Sequence, residues 1–180
     1  PMASYLKKGN LTKDNETLWD LIKRIEIPRH WTPDLKAYCD KKGIMFLSTP
    51  FDLKAVDELE AAGVEAYKVA SFEITHLPML RKISATGKPI ILSTGMASLE
   101  DIEVALAAIR EGGSSQVALL HCAIAYPPRY EDINLRAMDT MKQAFQVPVG
   151  FSDHTMGHVT DVAAVARGAC IIEKHFTLSR

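Results

Sequence analysis

The sequence has few cysteines, no long apolar run and no excess of charge of one sign. Its three cysteines, Cys39, Cys122 and Cys170, lie far apart without a CxxC pair, which argues against a disulfide framework and a thiolate metal site. No apolar stretch approaches the roughly 20 residues that span a bilayer, and residues 1–10 have no signal-peptide core, so we expect a cytoplasmic protein without membrane contact. A net charge of -1, with both signs mixed along the chain, argues against a nucleic-acid partner.

From Trp31 onward, short apolar runs alternate with amphipathic stretches. With 180 residues, 47% of them hydrophobic, the chain can bury the core of one globular domain. Capping residues and glycine stops predict helices over 32–42, 52–63, 77–87, 98–109, 135–145 and 161–167. The apolar runs between them predict six strands, 44–48, 66–71, 89–93, 116–122, 147–152 and 169–175.

The strict alternation of strands and helices, without hairpin signals, indicates an α/β protein with a parallel sheet covered by helices. Two architectures fit this pattern, an open doubly wound sheet and a (β/α)8 barrel. Polar residues end every predicted strand, and binding residues drawn from many strand ends are typical of the barrel. A barrel needs eight strands and six are predicted, so we expect an incomplete portion of a (β/α)8 TIM barrel.

Two histidines follow two consecutive predicted strands at matched positions. Because residues two apart share one face of a strand, Ser152 and His154 point the same way, as do Glu173 and His175, while Lys174 points to the other side. Adjacent parallel strands lie about 4.8 Å apart, close enough for the two imidazoles to share one divalent metal ion with open coordination positions. Two hydrogen-bonded core histidines stay an alternative at this point.

A second group of polar residues at the strand ends consists of one lysine and several small residues. A lysine in a buried strand needs an anionic partner, and hydroxyl and N–H groups near helix starts supply a phosphate or carboxylate site. Helix capping would explain any one hydroxyl equally well, and an ion pair with Glu73 or Asp52 would explain the lysine. The group comprises Thr49, Lys68, Ser71, Ser93, Thr94 and Gly95.

The segment HCAIAYPPRYED, residues 121–132, predicts a long loop after a strand. Loops at this face of a barrel select the substrate, which makes Tyr126 a candidate contact for a polar ligand. Packing of the tyrosine ring beneath the loop is the alternative.

Six segments in order resemble successive signatures of the nonulosonic (sialic) acid synthases. They are FLSTPFD, AYKVASFEI, GKPIILSTGMAS, LLHCAIAYPPRYEDINLRAM, VGFSDHT and ACIIEKHFTL, and the resemblance covers the chain from about Leu18 to its end. Members of that family condense phosphoenolpyruvate with an amino-sugar aldehyde, N-acetylmannosamine or a relative, to give a nine-carbon α-keto acid and phosphate. The resemblance implies a transferase with a (β/α)8 barrel and a divalent cofactor, Mn²⁺ or Mg²⁺.

The resemblance also assigns roles to the residues that match the motifs. The metal ligands fall on His154 and His175, and Tyr126 matches a tyrosine that contacts the acceptor sugar. Glu173 matches an active-site carboxylate, which we expect to orient a water molecule or move a proton. Lys68 is expected to hold the substrate's carboxylate and phosphate in line. The implied contacts of phosphoenolpyruvate are Thr49, Lys68, Ser71, Ser93 and Ser152.

The acceptor sugar stays open on the sequence. Ile124 occupies a position that is usually polar in the family, and Phe72 lies in a segment that is more similar to the pseudaminic-acid and spore-coat-polysaccharide branches. The resemblance further implies two barrel strands before residue 1, so that residues 1–180 form a partial synthase domain of about strands 3–8, and an antifreeze-like domain after residue 180 that completes a homodimer. We therefore expect the chain on its own to be inactive.

Three other functions stay compatible with these residues. A metal-dependent barrel aldolase would use pyruvate without phosphate release, and another keto-acid phosphate synthase would use a different sugar aldehyde. A catalytically silent module that binds a sugar or phosphate is the alternative outside enzymes. Phosphate release that depends on phosphoenolpyruvate separates the synthases from the other two.

Overall fold

The computed structural model describes residues 16–178, in which helices alternate with parallel strands. The helices are α1 (Leu18–Ile25), α2 (Thr32–Lys42), α3 (Leu53–Ala62), α4 (Leu77–Ser84), α5 (Leu99–Gly112), α6 (Arg136–Phe145) and α7 (Val159–Ala166). The strands are β1 (Tyr67–Val69), β2 (Ile90–Ser93), β3 (Val117–Cys122), β4 (Val149–Asp153) and β5 (Ile172–Lys174). Short 3-10 helices occupy Arg29–Trp31, Ser71–Glu73 and Tyr130–Asp132.

The five strands form one sheet in the order β1-β2-β3-β4-β5, and all neighbouring pairs are parallel. Each strand therefore pairs with the strand that follows it in the chain. A doubly wound sheet reverses its strand order at a switch point, whereas a (β/α) barrel adds its strands in sequence.

Side chains of the two outermost strands meet across the sheet. Lys68 Nζ on β1 lies 3.5 Å from Glu173 Oε2 on β5. In a flat sheet, strands about 4.8 Å apart would place β1 and β5 about 19 Å from each other, too far for these two side chains to touch. The sheet is therefore strongly curled, and together with its strand order this confirms an incomplete portion of a (β/α)8 barrel.

The hydrophobic core lies between the convex face of the sheet and the helices. Tyr67 on β1, Leu92 on β2, Leu119 on β3 and Phe151 on β4 are fully buried there. Because side chains alternate along a strand, the residues next to these point to the concave face. The concave face thus receives Lys68, Ser93, Cys122, Ser152 and Glu173.

Local chemistry explains most helix ends. Asp52 caps α3 by accepting the N–H of Ala55 at 2.7 Å, and Ser98 with Asp101 forms the capping box that begins α5. Helix α1, which we did not predict, begins with a similar box at Thr17. None of the described helices is both long and apolar enough to cross a membrane.

The segment 44–48, predicted as the first of six strands, is not a strand. It forms no ladder with any described strand, and Ile44 and Met45 are each 58% exposed. A strand needs a neighbour that satisfies its backbone N–H and C=O groups, and the described residues supply none on that side of β1. The described sheet therefore has five strands instead of six.

Candidate functional site

Four of the predicted site residues form a continuous polar chain on the concave face. Lys68 Nζ donates a hydrogen bond to Ser93 Oγ at 2.8 Å and lies 3.5 Å from Glu173 Oε2. Ser152 Oγ donates to Glu173 Oε1 at 2.6 Å. The register explains the second contact, because Ser152 and Glu173 are paired on β4 and β5. Side chains from β1, β2, β4 and β5 thus converge at the carboxyl ends of the strands.

Lys68 is a buried cation, only 8% exposed. Its ammonium group also donates to the carbonyl oxygen of Val69 at 3.1 Å. The ion pair with Glu173 replaces the pairings considered from the sequence, since Asp52 pairs with Arg29 and caps α3. A buried ammonium whose partners are one carbonyl oxygen, one hydroxyl and a single carboxylate at 3.5 Å is suited to bind an anionic ligand.

Glu73 lies in the 3-10 helix that follows β1. Its Oε2 atom is buried without a hydrogen-bond partner. Burial raises the pKa of this carboxyl group, and the charge of Lys68 opposes that rise. An ion pair with Glu73 was one alternative considered for Lys68, and the ion pair that the structure shows for this lysine is with Glu173 instead.

The remaining small residues of the predicted anion site divide into two groups. Ser71 Oγ accepts the backbone N–H of Gly95 at 2.9 Å, which ties the end of β1 to the end of β2. Thr94 Oγ1 instead donates to the carbonyl oxygen of Leu120 at 3.0 Å and faces the helix layer. Thr49 lies in the segment before α3, and no hydrogen bond connects it to the other site residues within the described part of the chain.

The histidine pair lies beside this chain of contacts. The ring centroids of His154 and His175 are 5.1 Å apart, as their positions after β4 and β5 predict. His154 Nδ1 lies 3.1 Å from the carbonyl oxygen of Ala123. A carbonyl oxygen only accepts hydrogen bonds, so Nδ1 bears the proton and Nε2 keeps its lone pair. Burial lowers the pKa of His154, which favours the neutral imidazole that a metal ion binds.

Tyr126 lies against both histidines and is not buried beneath its loop. Its ring centroid is 4.1 Å from that of His154 and 5.8 Å from that of His175, and the side chain stays exposed. The three rings border a cavity of about 650 Å³. A cavity of this size accommodates a ligand as large as a sugar.

The donor set fits a catalytic type of metal site. Two imidazoles from neighbouring strand ends offer nitrogen ligands that suit divalent ions such as Mn²⁺. Within residues 16–178, no group of three or more His, Cys, Asp or Glu side chains is arranged to hold a metal. An ion bound by the two histidines would therefore keep coordination positions open for oxygen atoms of water or substrate.

Cys122 is a site residue that the sequence prediction missed. We predicted only a reduced, packed side chain. In the structure Cys122 pairs in register with Ser152, and its Sγ atom lies 3.8 Å from His154 Nδ1. Burial raises the pKa of the Cys122 thiol, so the protonated form is favoured. The sequence could have indicated this position, because the alternation of side chains along β3 places residue 122 on the concave face.

A parallel sheet curled around a cluster of charged and hydroxyl side chains at its strand ends defines a (β/α)-barrel protein, a class whose active sites lie at that face. The particular family follows from comparison with known proteins. The NeuB family model matches residues 1–180, and the chain belongs to the NeuB family.

Similar proteins include named synthases. The chain is 45% identical over 171 residues to the N,N'-diacetyllegionaminic acid synthase of Campylobacter jejuni, covering 94% of the chain and 51% of that protein. It is 38% identical over 182 residues to the synthase of the same name from Legionella pneumophila, covering 99% of the chain and 51% of that protein. The chain spans about half the length of these curated relatives.

A solved structure agrees with these relatives. The N-acetylneuraminic acid synthetase of Leptospira borgpetersenii, solved in complex with citrate, superposes with a TM-score of 0.85 at 35% identity. The match covers 97% of this chain and 60% of that one.

Proposed function

We propose that the protein condenses phosphoenolpyruvate with an N-acetylated amino-sugar aldehyde, giving a nine-carbon α-keto acid and phosphate. One observation supports this most directly: a buried ammonium group with hydroxyl neighbours lies beside a pair of imidazoles whose ring centroids are 5.1 Å apart. The first arrangement suits an anionic substrate and the second suits a divalent ion. Membership of the NeuB family, with relatives named as acid synthases, supports the same reaction class.

In this proposal the anionic substrate binds at the strand ends of β1, β2 and β4. Lys68 pairs with the carboxylate or phosphate of phosphoenolpyruvate, and Ser71 and Ser93 donate hydrogen bonds to its oxygen atoms. Ser152 borders the same substrate, while its hydroxyl proton is donated to Glu173. Thr49 belongs to the same set by its motif, although it lies outside the hydrogen-bonded cluster in the structure. Fixing both charged groups would hold the enol carbon in line for attack.

The acceptor sugar binds on the side of the histidines. His154 and His175 would hold Mn²⁺ or Mg²⁺, which when bound would polarise the carbonyl oxygen of the aldehyde. Tyr126 packs against both rings at tilted and edge-on angles and would contact the sugar from the cavity. The enol carbon then forms a bond to the aldehyde carbon, water adds to the resulting cation, and phosphate leaves. Glu173, hydrogen-bonded to Ser152, orients that water or moves its proton.

The assay measures phosphate release by the complete protein with a panel of acceptor sugars of the sialic, legionaminic and pseudaminic types. The acceptor of the legionaminic type is assayed first, because the relative at 45% identity is named a legionaminic acid synthase. We also propose that the complete protein is a homodimer, and analytical ultracentrifugation of the same protein measures this. We expect release that requires phosphoenolpyruvate, an acceptor and a divalent ion, and that EDTA abolishes.

Replacing both His154 and His175 by Ala is expected to abolish the metal-dependent release while the near-UV circular dichroism stays that of the wild type. Undiminished release at saturating substrate would refute the metal assignment. Condensation of pyruvate without phosphate release would identify an aldolase instead. Binding of sugar and phosphoenolpyruvate without turnover would identify a silent binding module.

A further inference from the structure

Strand β5 leads directly into His175, one member of the histidine pair, yet its apolar residues do not define its register. The strand has three residues and pairs with β4 alone among the described strands. Ile171 and Ile172 are adjacent, so a slip by one residue would still present an isoleucine to each face. A slip of one residue exchanges the two faces of a strand, and β5 therefore needs another determinant of its register.

On the concave face Glu173 contacts Ser152 and Lys68, and on the convex face a polar network around the buried Asp153 supplies a second determinant. The last pair of the β4–β5 ladder is Asp153 with Lys174, and Lys174 Nζ forms an ion pair with Asp153 Oδ2. The lysine also donates to the carbonyl oxygen of Thr155 at 3.1 Å and lies 3.5 Å from Asp161 Oδ2 on α7. Lys174 is thus held by the turn after β4 and by a helix at once.

Asp153 is itself immobilised. Its side chain is fully buried and accepts the backbone N–H of Thr155 at 2.9 Å and the hydroxyl groups of Thr155 and Thr160 at 2.9 and 2.8 Å. Burial of an unpaired carboxylate would be strongly unfavourable, and these contacts together with Lys174 compensate it. In a slipped register Lys174 would leave Asp153 uncompensated, so the network penalises that arrangement.

The two histidines are the residues that directly follow this pair. Asp153 precedes His154, and Lys174 precedes His175, so the ion pair and the imidazole pair lie on opposite faces at the same end of the two strands. If β5 slipped by one residue, Lys174 would face the concave side and His175 the convex side. The separation of 5.1 Å between the ring centroids would then be lost.

We propose that Asp153 and Lys174 are positioning residues that fix the register of β5 and thereby set the spacing between His154 and His175. The role in metal binding rests on the proposed function, whereas the role in spacing does not. Both side chains are engaged on the helix side of the sheet, Asp153 by Thr155 and Thr160 and Lys174 by Asp153 and Asp161, although both residues also border the cavity beside the histidines.

The test replaces Lys174 by Met and compares it with Arg167→Met, a matched control. Arg167 also forms an ion pair with an aspartate, Asp139, and that pair links α7 to α6. Mn²⁺ alone is titrated into the complete protein, free Mn²⁺ is measured by electron paramagnetic resonance, and the melting temperature is recorded for each variant. We expect Lys174→Met to weaken Mn²⁺ binding by roughly tenfold or more and Arg167→Met to leave it within about twofold.

A second readout reports the spacing without any metal. In the wild type, nuclear Overhauser effects are expected between the ring protons of His154 and His175, and they are expected to disappear in Lys174→Met and persist in Arg167→Met. If Lys174→Met lowers the melting temperature but keeps both the ring contacts and the Mn²⁺ affinity, the pair is purely structural and the inference is overturned. If Lys174→Met does not fold, Thr160→Val removes one hydrogen bond from Asp153, and unchanged ring contacts and Mn²⁺ affinity in that variant also overturn it.

The same data separate the inference from the proposed function. A wild type that does not bind Mn²⁺, or binding that persists after His154→Ala with His175→Ala, contradicts the proposed metal site. The ring contacts then still decide whether Lys174 sets the spacing.

Discussion

Lys68 connects three strands of the site. Its ammonium group contacts a hydroxyl on β2, a carbonyl oxygen on β1 and a carboxylate on β5. Because the group is buried, these contacts are stronger than they would be in water. An incoming anion would find the cation already desolvated and oriented, so little reorganisation accompanies its binding.

Replacing Lys68 by Met is expected to raise the KM for phosphoenolpyruvate by about 10- to 100-fold, since a hydrogen bond to a charged group contributes about 1.5–3 kcal/mol. The measurement is phosphate release at varied phosphoenolpyruvate and saturating acceptor. Lys88→Met is the control, because Lys88 also pairs with a glutamate, Glu60, at the opposite end of the sheet. An unaltered dependence on phosphoenolpyruvate would show that Lys68 is only a structural ion-pair partner.

His121 makes stability depend on pH. Burial lowers its pKa, and its Nε2 lies 2.6 Å from the carbonyl oxygen of Ile133, which that nitrogen contacts as a donor. The unfolded state therefore binds a proton at a pH where the folded state does not, and the free energy of unfolding falls as the pH drops below about 6.5. His121→Gln is expected to reduce this fall between about pH 7 and pH 5 in urea denaturation. An unchanged pH dependence would contradict the role of His121.

At the residue scale, the sequence predicted the proximity of His154 and His175, but it did not predict which carboxylate pairs with Lys68. The approach of His154 and His175 follows from a period of two on neighbouring strands, which is a local property. The pairing of Lys68 with Glu173 depends on how far the sheet curls, and no local pattern encodes that. For this reason the sequence suggested nearby carboxylates, such as Asp52, as partners instead.

At the element scale, Gly150 allows β5 to pack closely on β4. A Cβ atom at this position would lie 2.5 Å from the carbonyl oxygen of Ile171 and 2.7 Å from Leu120 Cδ2. Glycine inside a strand often marks such an approach of another backbone. The glycine is therefore required by its neighbours and not by its own backbone angles.

Replacing Gly150 by Ala is expected to lower the free energy of unfolding by about 1–3 kcal/mol, the usual effect of an oversized core side chain. Chemical denaturation measures this change. Because Ile171 leads into β5, the substitution should also accelerate amide hydrogen exchange, relative to the wild type, more in β5 than in β2, which is distant from residue 150. An equal change of exchange in the two strands would contradict the expectation that the added Cβ atom disturbs β5.

Helices were predicted more successfully than strands. Glycine stops and capping residues determine helix ends within the segment itself, as the capping box of Ser98 shows. A strand additionally needs a partner, which is why segment 44–48 was wrongly predicted. Helix α1 was missed although Thr17 and Asp20 have the spacing of a capping box.

At the scale of the whole molecule, the curl of the sheet makes its two outermost strands energetically coupled. A double-mutant cycle with Lys68→Met and Glu173→Gln tests this directly. We expect the free energies of unfolding to deviate from additivity by about 0.5–3 kcal/mol, as for residues in contact. Lys68→Met combined with Glu103→Gln, on the outer surface of α5, is expected to be additive within about 0.5 kcal/mol. Additivity in both cycles would indicate that β1 and β5 do not meet.

The contact between Lys68 and Glu173 also determines when the site can form during biosynthesis. The two residues lie about a hundred positions apart in the chain, and closing so long a loop is entropically unfavourable until the intervening units have packed. The ribosome releases β5 last of the described strands, so the nascent chain displays Lys68 without its carboxylate and His154 without its partner. The contacts of Glu173 and His175 therefore complete the polar cluster last, after every other described strand has left the ribosome.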